Sequence, residues 1–576
     1  MINKWNIRPN TEEELQLANM LAEELEINPV LCLLLVQRGI NTVEAAKKFF
    51  KPNLSDLHDP FLMPDMHKAV KRLESALGNK EKILVYGDYD VDGTTAVALV
   101  YKFLRPYSST LDYYIPDRYD EGYGVSKKGI DYAHENGFSL VITLDCGIKA
   151  IEKIEYARKK GIDIIVCDHH MPDDELPNAV AVIDAKRSDS IYPYEHLSGC
   201  GVGFKFMQAF AKNNDIPFSR LESLLELTAV SIASDIVPIT GENRILAYYG
   251  LRQLNSNPSL GLKGIINVCG LSGKEMTISD IVFKIGPRIN ASGRMMNGKE
   301  AVELLLAKNM EIAKEKSENI NQYNENRREL DKQITDEANA IINEIQNIED
   351  QKGIIVYNPE WHKGVIGIVA SRLSEKYYRP SVVLTKSSSD LITGSARSIA
   401  GFDIYKAIEG CRDLLENFGG HTYAAGLSLK EENLELFIKR FMQFADEEID
   451  SEQMTPQIEI DQVIDLKEVN VRFMNDLKRL YPFGPDNEKP VFCSLRVQDY
   501  GTSRLVGRDQ DHLKLEIYDD QSSGGPVHGI AFGMHQHYSY IKDGHPFDVC
   551  YTVEENTYNG ITTIQLMIKS IRPSEY

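Results

Sequence analysis

The chain lacks several features that would assign it to a common class of protein. In 576 residues it has no apolar run of about 18 or more, so we expect no membrane-spanning helix and no membrane partner. Its first residues, Met1 to Trp5, lead into polar sequence without the apolar core of a signal peptide. The 8 cysteines form no CxxC pair and stand mostly in apolar segments, which is typical of buried thiols. We therefore expect a cytoplasmic protein of about two to four domains.

The chain also lacks the excess of basic residues that a nucleic-acid-binding protein usually carries. Lysine and arginine number 64 against 85 aspartates and glutamates, and the formal net charge is −21. Phosphate contacts normally need a basic surface, so this balance argues against a protein that coats duplex DNA tightly. It does not exclude a narrow, arginine-lined groove for one strand, because acidic residues can be segregated into a metal site and onto outer helices.

Three short apolar segments each end at residues that bind metals. Residues 83–86 precede Gly87-Asp88-Tyr89-Asp90-Val91-Asp92-Gly93, residues 140–144 precede Asp145, and residues 162–167 precede Asp168-His169-His170. In a parallel α/β sheet, ligands bind beyond the carboxyl ends of the strands, so neighbouring strands would gather these groups at one edge. That much negative charge must be neutralised by protons or bound cations, and divalent cations are the usual solution.

Each of these segments also has a simpler interpretation. Asp88, Asp90 and Asp92 alternate along an extended segment and so point to one side, but a calcium loop has the same alternation. Position 12 of such a loop would be Leu99 rather than an acid, which argues against calcium. The Asp-His-His triplet alone is consistent with a polar turn, and Asp235 alone with a helix cap. These residues indicate a metal site only when all of them are considered together.

The order of segments predicts an α/β protein with several parts. We expect a helical N-terminal segment (residues 1–80) packed on a parallel-sheet catalytic domain (81–297). A stretch with few glycines and no proline (298–350) predicts a long connecting helix. A smaller α/β domain (351–452) follows, and short strands in the last part (456–576) predict a β-barrel of the OB type.

Several segments resemble known families. The Asp-Tyr-Asp-x-Asp-Gly run, Asp145, the Asp-His-His triplet and Ser234-Asp235-Ile236-Val237 are similar to the four signatures of the DHH phosphoesterase superfamily. Residues 286–294, 361–373 and 419–426 resemble the RecJ family of single-strand-specific 5′→3′ DNA exonucleases, the last two within its DHHA1 domain. The similarity covers nearly the whole chain, including the terminal barrel.

The resemblance implies a pair of Mn²⁺ or Mg²⁺ ions. The family's metal ligands correspond to Asp90, Asp92, Asp145, His169 and Asp235, with Asp88 completing the set; His170 lies beside them as a group that polarises the phosphate or handles a proton. Carboxylates with one or two imidazoles suit Mn²⁺ and tolerate Mg²⁺, and the absence of cysteine disfavours structural zinc. Two such ions about 4 Å apart can activate water and neutralise the leaving oxygen of an in-line attack.

The resemblance also implies a phosphate pocket in the smaller α/β domain. A glycine, hydroxyls and a guanidinium in residues 391–398 suit a bidentate grip on a terminal phosphate. The implied set is Arg118, Arg288, Ser395 and Arg397, with His362 and His421 facing the cleft. Taken alone, an arginine is more often a surface ion-pair partner, the Gly419-Gly420-His421 run is consistent with a plain turn, and His362 with a helix cap.

The implied activity is metal-dependent 5′→3′ hydrolysis of single-stranded DNA to 5′-mononucleotides, in recombination and repair. The barrel would guide the strand by stacking and backbone contacts. The resemblance further implies a monomer that works with a helicase and a single-strand-binding protein. The alternative is a DHH-family oligoribonuclease or cyclic-dinucleotide phosphodiesterase. Those enzymes usually lack a terminal barrel, so a barrel in residues 457–576 would favour the DNA exonuclease over this alternative.

Two weaker alternatives are an inorganic pyrophosphatase and a non-catalytic DNA-binding scaffold. Nothing in the chain resembles the phosphate-clamping C-terminal lobe of an inorganic pyrophosphatase. A non-catalytic DNA-binding scaffold related to RecJ would often have lost metal ligands, and this chain keeps all of them.

Overall fold

A computed structural model of the protein describes residues 4–345, 348–387, 391–520, 525–558 and 560–574. These residues form two compact units. Among the described residues, the first unit contains those within 58–237 and 249–456, and the second contains those within 4–57, 238–248 and 457–574. None of the helices in the described ranges combines the length and the hydropathy that crossing a bilayer requires. All eight cysteines are free, and seven of them are buried, as expected.

Residues 4–57 of the N-terminal segment belong to the second unit. It contains strand β1 (Lys4–Ile7) and helices α1 (Glu12–Leu25), α2 (Pro29–Gln37) and α3 (Val43–Phe50). Helix α2 is apolar on nearly all sides, so it must be covered all round. Its Leu31 and Leu34 share one core with Phe473 and Leu513 of the C-terminal domain. The prediction that residues 1–80 pack on the catalytic domain is therefore wrong for residues 4–57, because their apolar side chains complete the C-terminal core.

The catalytic domain is built on a five-stranded parallel sheet, as predicted. Helix α4 (Met66–Gly78) leads into strands in the order β3-β2-β4-β5-β6. The strands are β2 (Ile83–Gly87), β3 (Leu111–Tyr114), β4 (Leu140–Leu144), β5 (Asp163–Cys167) and β6 (Ala181–Ile183), and the crossover helices are α5 (Val91–Leu104), α6 (Lys127–Glu135) and α7 (Ile151–Lys159). Because β3 and β4 flank β2 on opposite sides, the strand order reverses there. Ligands bind at such a switch point in open α/β sheets.

The strands of this sheet end in register. Gly87 pairs with Leu144, Leu144 with Cys167, and Cys167 with Ile183. In every case the next residue is an aspartate. The buried apolar strands therefore hold four aspartates in one row along the carboxyl edge, namely Asp88, Asp145, Asp168 and Asp184.

A layer of helices follows the sheet. Its members are α8 (Gly199–Asn213), α9 (Ser219–Glu222), α10 (Leu225–Ser234), α11 (Gly241–Ser256), α12 (Leu260–Val268), α13 (Ile278–Asp280), α14 (Gly286–Met295) and α15 (Lys299–Leu305), with a π-helical turn at Ile281–Ile285. Helix α10 is apolar and buried, and it packs against α5 and α8. This packing brings Asp235, at the end of α10, to the carboxyl edge of the sheet.

One long helix connects the two lobes of the first unit. Helix α16 (Met310–Glu344) has 35 residues and so spans about 52 Å. It contacts α12 and α14 on one lobe and α17 (Ile366–Tyr377) on the other. The predicted connecting segment, residues 298–350, is longer than this helix because it also includes α15. Residues 346 and 347 lie outside the described residues.

The second lobe is a smaller α/β domain, as predicted. Its five strands are ordered β10-β11-β9-β8-β7, and only β7 and β8 are parallel. The strands are β7 (Ile354–Tyr357), β8 (Ser381–Lys386), β9 (Ile392–Arg397), β10 (Leu415–His421) and β11 (Ala424–Leu429); helices α18 (Ile404–Glu409) and α19 (Leu434–Glu448) complete the domain with α17.

The C-terminal domain forms the predicted barrel. Its elements are β12 (Gln457–Ile460), β13 (Gln462–Val463), α20 (Val471–Lys478), β14 (Phe492–Asp499), β15 (Arg504–Val506), β16 (His512–Tyr518), β17 (Val527–Ala531), α21 (Tyr538–Lys542), β18 (Phe547–Tyr558) and β19 (Ile561–Pro573). Strand β14 pairs with β18, β18 with β19, β19 with β17, β17 with β16, and β16 again with β14. The ring of pairings is closed, so this sheet leaves few edges exposed.

Candidate metal centre and substrate cleft

The first aspartates of the centre are fixed by the turn from β2 into α5. Asp90 is the N-cap of α5, and its Oδ1 accepts a hydrogen bond of 3.0 Å from the amide of Gly93. Asp88 Oδ1 accepts one of 3.0 Å from the amide of Gly124. The other oxygen, Asp88 Oδ2, is buried and has no hydrogen-bond partner among the described residues. A buried carboxylate oxygen without a donor is poised for a cation.

Asp92 is held by the start of helix α8. Its carboxylate accepts hydrogen bonds from the amides of Gly199 (2.6 Å) and Cys200 (2.7 Å) and from the hydroxyl of Ser231 (2.7 Å). A methyl group on Gly199 would lie 2.5 Å from the Asp145 Cβ. Only glycine at this position lets the first turn of α8 contact both aspartates.

His169 lies at the centre of the acidic groups. Its Nε2 is 3.2 Å from Asp145 Oδ1, 3.6 Å from Asp235 Oδ2 and 3.7 Å from Asp92 Oδ2. Neither ring nitrogen makes a hydrogen bond within the described residues. Burial lowers the pKa of His169, which favours the neutral imidazole, the form that ligates metals.

The carboxyl groups around His169 are crowded and poorly solvated. Burial, and then mutual repulsion, raise the pKa values of Asp88, Asp90, Asp145 and Asp235 above their usual range. Bound cations would stabilise the ionised forms. The site is therefore short of positive charge, which fits the predicted metal centre.

The ligand atoms form two groups that share His169. One group contains Asp92, His169 and Asp235, and the other contains Asp145, His169 and His170; within each group the ligand atoms lie within 4.8 Å of one another. Carboxylate oxygens with an imidazole nitrogen suit Mn²⁺ and tolerate Mg²⁺. Asp88 and Asp90 adjoin these groups and interact electrostatically with Asp145.

His170 is oriented by Asp168. Asp168 Oδ1 accepts hydrogen bonds from His170 Nδ1 (2.8 Å) and from the backbone amide of His169 (2.8 Å), and Oδ2 accepts one from the amide of Ile148 (2.9 Å). Burial opposes the shift, but the hydrogen bond and charge of Asp168 raise the pKa of His170 to about 9. The reciprocal effect lowers the pKa of Asp168 to about 2. In the metal-free site the protonated form of His170 is thus favoured at neutral pH, and its Nε2 lies 3.2 Å from the hydroxyl of Tyr123.

The second lobe presents a pocket suited to an anion. Arg397 Nη1 donates a hydrogen bond of 3.0 Å to Ser395 Oγ. A methyl group on Gly367 would lie 2.9 Å from Ser395 Oγ and 3.3 Å from Arg397 Nη2, so the first turn of α17 borders this pair. No described side chain caps the start of α17. Its first amides therefore add to the positive character of the pocket.

Two arginines from the catalytic lobe adjoin this pocket. Arg118 stacks over the Tyr89 ring at 4.8 Å, and Arg294 Nη1 donates a hydrogen bond of 3.0 Å to the carbonyl of Gly364. Burial and the charges of Arg118, Arg327 and Arg397 lower the pKa of Arg294 to about 10. In the described part of the chain, neither Arg294 nor Arg397 pairs with a carboxylate. The pocket therefore has uncompensated positive charge.

Three other predicted substrate residues, Arg288, His362 and His421, make contacts of their own in the structure. Arg288 donates to Asn321 Oδ1 (2.8 Å) and to the carbonyl of Lys284 (2.9 Å) on its own lobe. His362 Nδ1 accepts from the amide of Gly364 (3.1 Å), and its ring meets the Tyr119 ring edge to face. His421 is exposed at the end of β10, in the same cross-strand row as Ala424 and Arg397.

The sequence analysis did not select three residues that the structure places at the acidic sheet edge or at the arginine pocket. Arg294 closes the resembling segment 286–294, but nothing in its spacing favours it over Arg288. Asp168 was part of the Asp-His-His motif without an assigned role. Asp184 follows β6, a three-residue strand too short to be recognised; a search for acids after every short apolar run would have found it.

Three parts of the chain match known protein families. Residues 82–232 match the DHH family, N-terminal domain, residues 350–447 match the DHHA1 domain, and residues 460–570 match the RecJ OB domain. The fold and the acidic sheet edge are thus those of a DHH-type phosphoesterase with a DHHA1 lobe.

Relatives that align with nearly the whole chain identify a particular family within this class. The chain is 35% identical over 575 residues to the single-stranded-DNA-specific exonuclease RecJ of Bacillus subtilis (strain 168), covering 100% of this chain and 71% of that protein. It is 31% identical over 567 residues to the RecJ of Escherichia coli (strain K12), covering 95% and 96%. The crystal structure of RecJ in complex with Mn²⁺ from Thermus thermophilus matches with a TM-score of 0.83 at 25% identity, covering 100% of this chain and 80% of that one. The chain belongs to the RecJ family, and the resemblance noted in the sequence is confirmed.

Proposed function

We propose that this protein is a metal-dependent exonuclease that hydrolyses single-stranded DNA from the 5′ end and releases 5′-mononucleotides. The observation that carries the proposal is His169, whose free Nε2 lies 3.2–3.7 Å from carboxylate oxygens of three separate chain segments. The named activity of the relatives, single-stranded-DNA-specific exonuclease, agrees with such a centre.

The acidic edge would hold the cations. Asp92, Asp145, His169 and Asp235 are the ligands with the best-supported geometry, and Asp88 and Asp90 extend the set. When bound, two Mn²⁺ or Mg²⁺ ions supply Lewis-acid activation of water and charge neutralisation. The protonated His170 can donate a hydrogen bond to a phosphate oxygen and so stabilise charge that develops on it.

The arginine pocket would fix the end of the strand. Arg118, Arg294, Ser395 and Arg397 offer charge-assisted hydrogen bonds to a terminal phosphate, and a bound dianion would offset their mutual repulsion. A pocket that recognises a 5′-phosphate sets the direction of attack. It also restricts the substrate to chains with a free end.

The barrel supports DNA over a very short substrate. The match of residues 460–570 to the RecJ OB domain disfavours the oligoribonuclease and cyclic-dinucleotide alternatives. Tyr500 and Phe532 are exposed on this domain, whereas Phe483 packs against its core. Exposed aromatic rings give stacking that tolerates every base. Action in a reducing cytoplasm agrees with the free thiols; a monomeric state and helicase or single-strand-binding partners stay predictions.

The direct test is digestion of 5′- and 3′-labelled oligonucleotides, single-stranded and duplex, with Mn²⁺ and with EDTA. We expect early release of the 5′ label as a mononucleotide from single strands only, and no release with EDTA. Degradation from the 3′ end, cleavage of dinucleotides alone, or turnover that resists EDTA would contradict the proposal.

Matched histidine variants connect the test to the site. His169→Ala should abolish hydrolysis because the shared ligand is lost. His134→Ala changes an exposed histidine on α6 and should leave hydrolysis unchanged.

A further inference from the structure

Ile236, which directly follows Asp235, has a backbone conformation that is unfavourable for its residue type. Its φ is 58°, in the left-handed region. Helix α10 ends with Asp235 as its C-cap, so Ile236 occupies the next position, where helices commonly place glycine or asparagine. A β-branched residue with such a φ is an outlier, and it persists only when something else offsets the strain.

Packing within the protein does not offset this strain. The Ile236 side chain is 65% exposed and so buries little apolar surface. In the described ranges, ten residues other than glycine have positive φ, and Ile236 is the only β-branched one. Helices α1 and α17 also end in left-handed residues, Glu26 and Tyr378. Burial of apolar surface therefore gives no reason for a strained aliphatic residue at this position.

Ile236 lies at the rim of the metal centre. Oδ2 of Asp235 is 3.6 Å from His169 Nε2, and consecutive Cα atoms are about 3.8 Å apart. A second large apolar side chain is placed in the same way, because Met171 follows His170 and is 60% exposed. An acidic centre that binds phosphate thus has apolar groups attached at its edge.

We infer that Ile236 is a further substrate-binding residue, whose side chain packs against the nucleoside joined to the scissile phosphate. This inference rests on the proposed function, since a phosphate at the metal centre brings its sugar and base to the rim. An aliphatic side chain gives dispersion contacts to a sugar or to the face of any base. It makes no base-specific hydrogen bond, which suits hydrolysis of every sequence.

Three substitutions separate strain from contact. Ile236→Val keeps both the β-branch and the apolar contact. Ile236→Gly removes both, and Ile236→Asn tolerates the left-handed backbone while replacing the apolar surface with an amide. The readouts are the melting temperature, Mn²⁺ binding by calorimetry, and kcat and KM for release of a labelled 5′-nucleotide.

We expect the Gly and Asn variants to melt at or above the wild-type temperature and to bind Mn²⁺ with unchanged affinity. Their kcat/KM should fall about tenfold, since one lost apolar contact of this size corresponds to about one decade. Ile236→Val should stay within about twofold of wild type. Glu26→Gly is the matched control, because it relieves the same backbone strain at the end of α1 and should leave hydrolysis unchanged.

Wild-type kcat/KM in Ile236→Gly would overturn the inference. So would a lower melting temperature, or a loss of Mn²⁺ affinity equal to the loss of activity, since either would assign Ile236 a purely structural role at Asp235. Failure of the proposed function itself would look different, because the wild-type protein would then show no Mn²⁺-dependent hydrolysis of single strands.

Discussion

The two lobes of the first unit each hold a buried group of like charges, and the two groups are built differently. The acidic group rests on parallel strands that end in register and on the rigid starts of α5 and α8. The arginine group is assembled from loops, one strand end and a helix start. Both groups raise the energy of the free protein, because buried like charges repel. Under the proposed function, the acidic group would be completed by metal cations, and the arginine group by the terminal phosphate of the DNA strand.

The largest expected effect comes from removing one acid of the row. Asp145 has φ 59°, which asparagine tolerates, so Asp145→Asn should keep the backbone. The rate of hydrolysis should fall at least about 100-fold. Loss of a direct metal ligand should lower the rate at least as much as loss of a hydrogen-bond partner of a ligand, which costs up to about 100-fold. Repulsion within the group should fall too. The Mn²⁺-free variant should therefore melt above the wild type at pH 8, because burial and repulsion raise the pKa of Asp145 in the folded wild type, and this acid costs stability once the unfolded chain has lost its proton.

Addition of Mn²⁺ should reverse this order of melting temperatures, since ligand binding stabilises only the wild type. Asp112→Asn, at an exposed position of β3, is the control and should change neither quantity strongly. If Asp145→Asn keeps the wild-type response to Mn²⁺, the acidic row is not the metal centre.

A smaller effect should distinguish the two arginines of segment 286–294. Arg294 lies with Arg118 and Arg397, whereas Arg288 is occupied by Asn321 and by the carbonyl of Lys284. Arg294→Gln should lower kcat/KM for 5′-phosphorylated strands about 10- to 100-fold, as expected for one charged hydrogen bond. It should have less effect on strands with a 5′-hydroxyl, so the preference for phosphate should shrink.

The same measurement on Arg288→Gln is the control, and we expect a change of no more than about twofold to threefold. A larger loss in Arg288→Gln than in Arg294→Gln would restore the assignment made from the family resemblance. It would also mean that the lobes close further around substrate.

The acidic group could be predicted from sequence more fully than the arginine group. Each of the predicted strands is followed directly by its acids, so recognising a strand also located its candidate metal ligands. The arginines carry no such pattern, because Arg118, Arg294 and Arg397 meet only when two lobes and a loop are packed. The family resemblance implied Arg118, Arg288 and Arg397, whereas Arg294, six positions from Arg288, is the residue that interacts electrostatically with Arg118 and Arg397 in the structure.

The N-terminal segment shows a second limit of sequence reasoning. The apolar spacing of α1 and α2 indicated helices, and the helices are there. Nothing in that spacing says which apolar surface covers them, because any core of suitable shape would do. The partner was the C-terminal domain, more than 400 residues away along the chain.

The last prediction concerns stability rather than hydrolysis, and it involves Asp184, at the outer end of the aspartate row. Its side chain has no solvent exposure, its Oδ1 accepts a hydrogen bond of 2.7 Å from the amide of Lys186, and its Oδ2 has no partner among the described residues. Burial raises the pKa of Asp184 to about 7. In the unfolded chain the group ionises near pH 3.9. The unfolded state therefore releases this proton first as the pH rises, and the wild type loses up to about 4 kcal/mol of stability between pH 4 and 7 from this group.

Asp184→Asn keeps the acceptor for Lys186 and cannot ionise, so this loss should disappear. The free energy of unfolding, measured in urea with EDTA, should be higher in the variant than in the wild type at pH 8, and the difference should shrink steadily as the pH falls toward 4. All other groups titrate in both proteins, so the difference isolates Asp184. A difference that does not change with pH would mean that this carboxyl is ionised in the folded protein, and that only the inner part of the aspartate row depends on a cation for its stability.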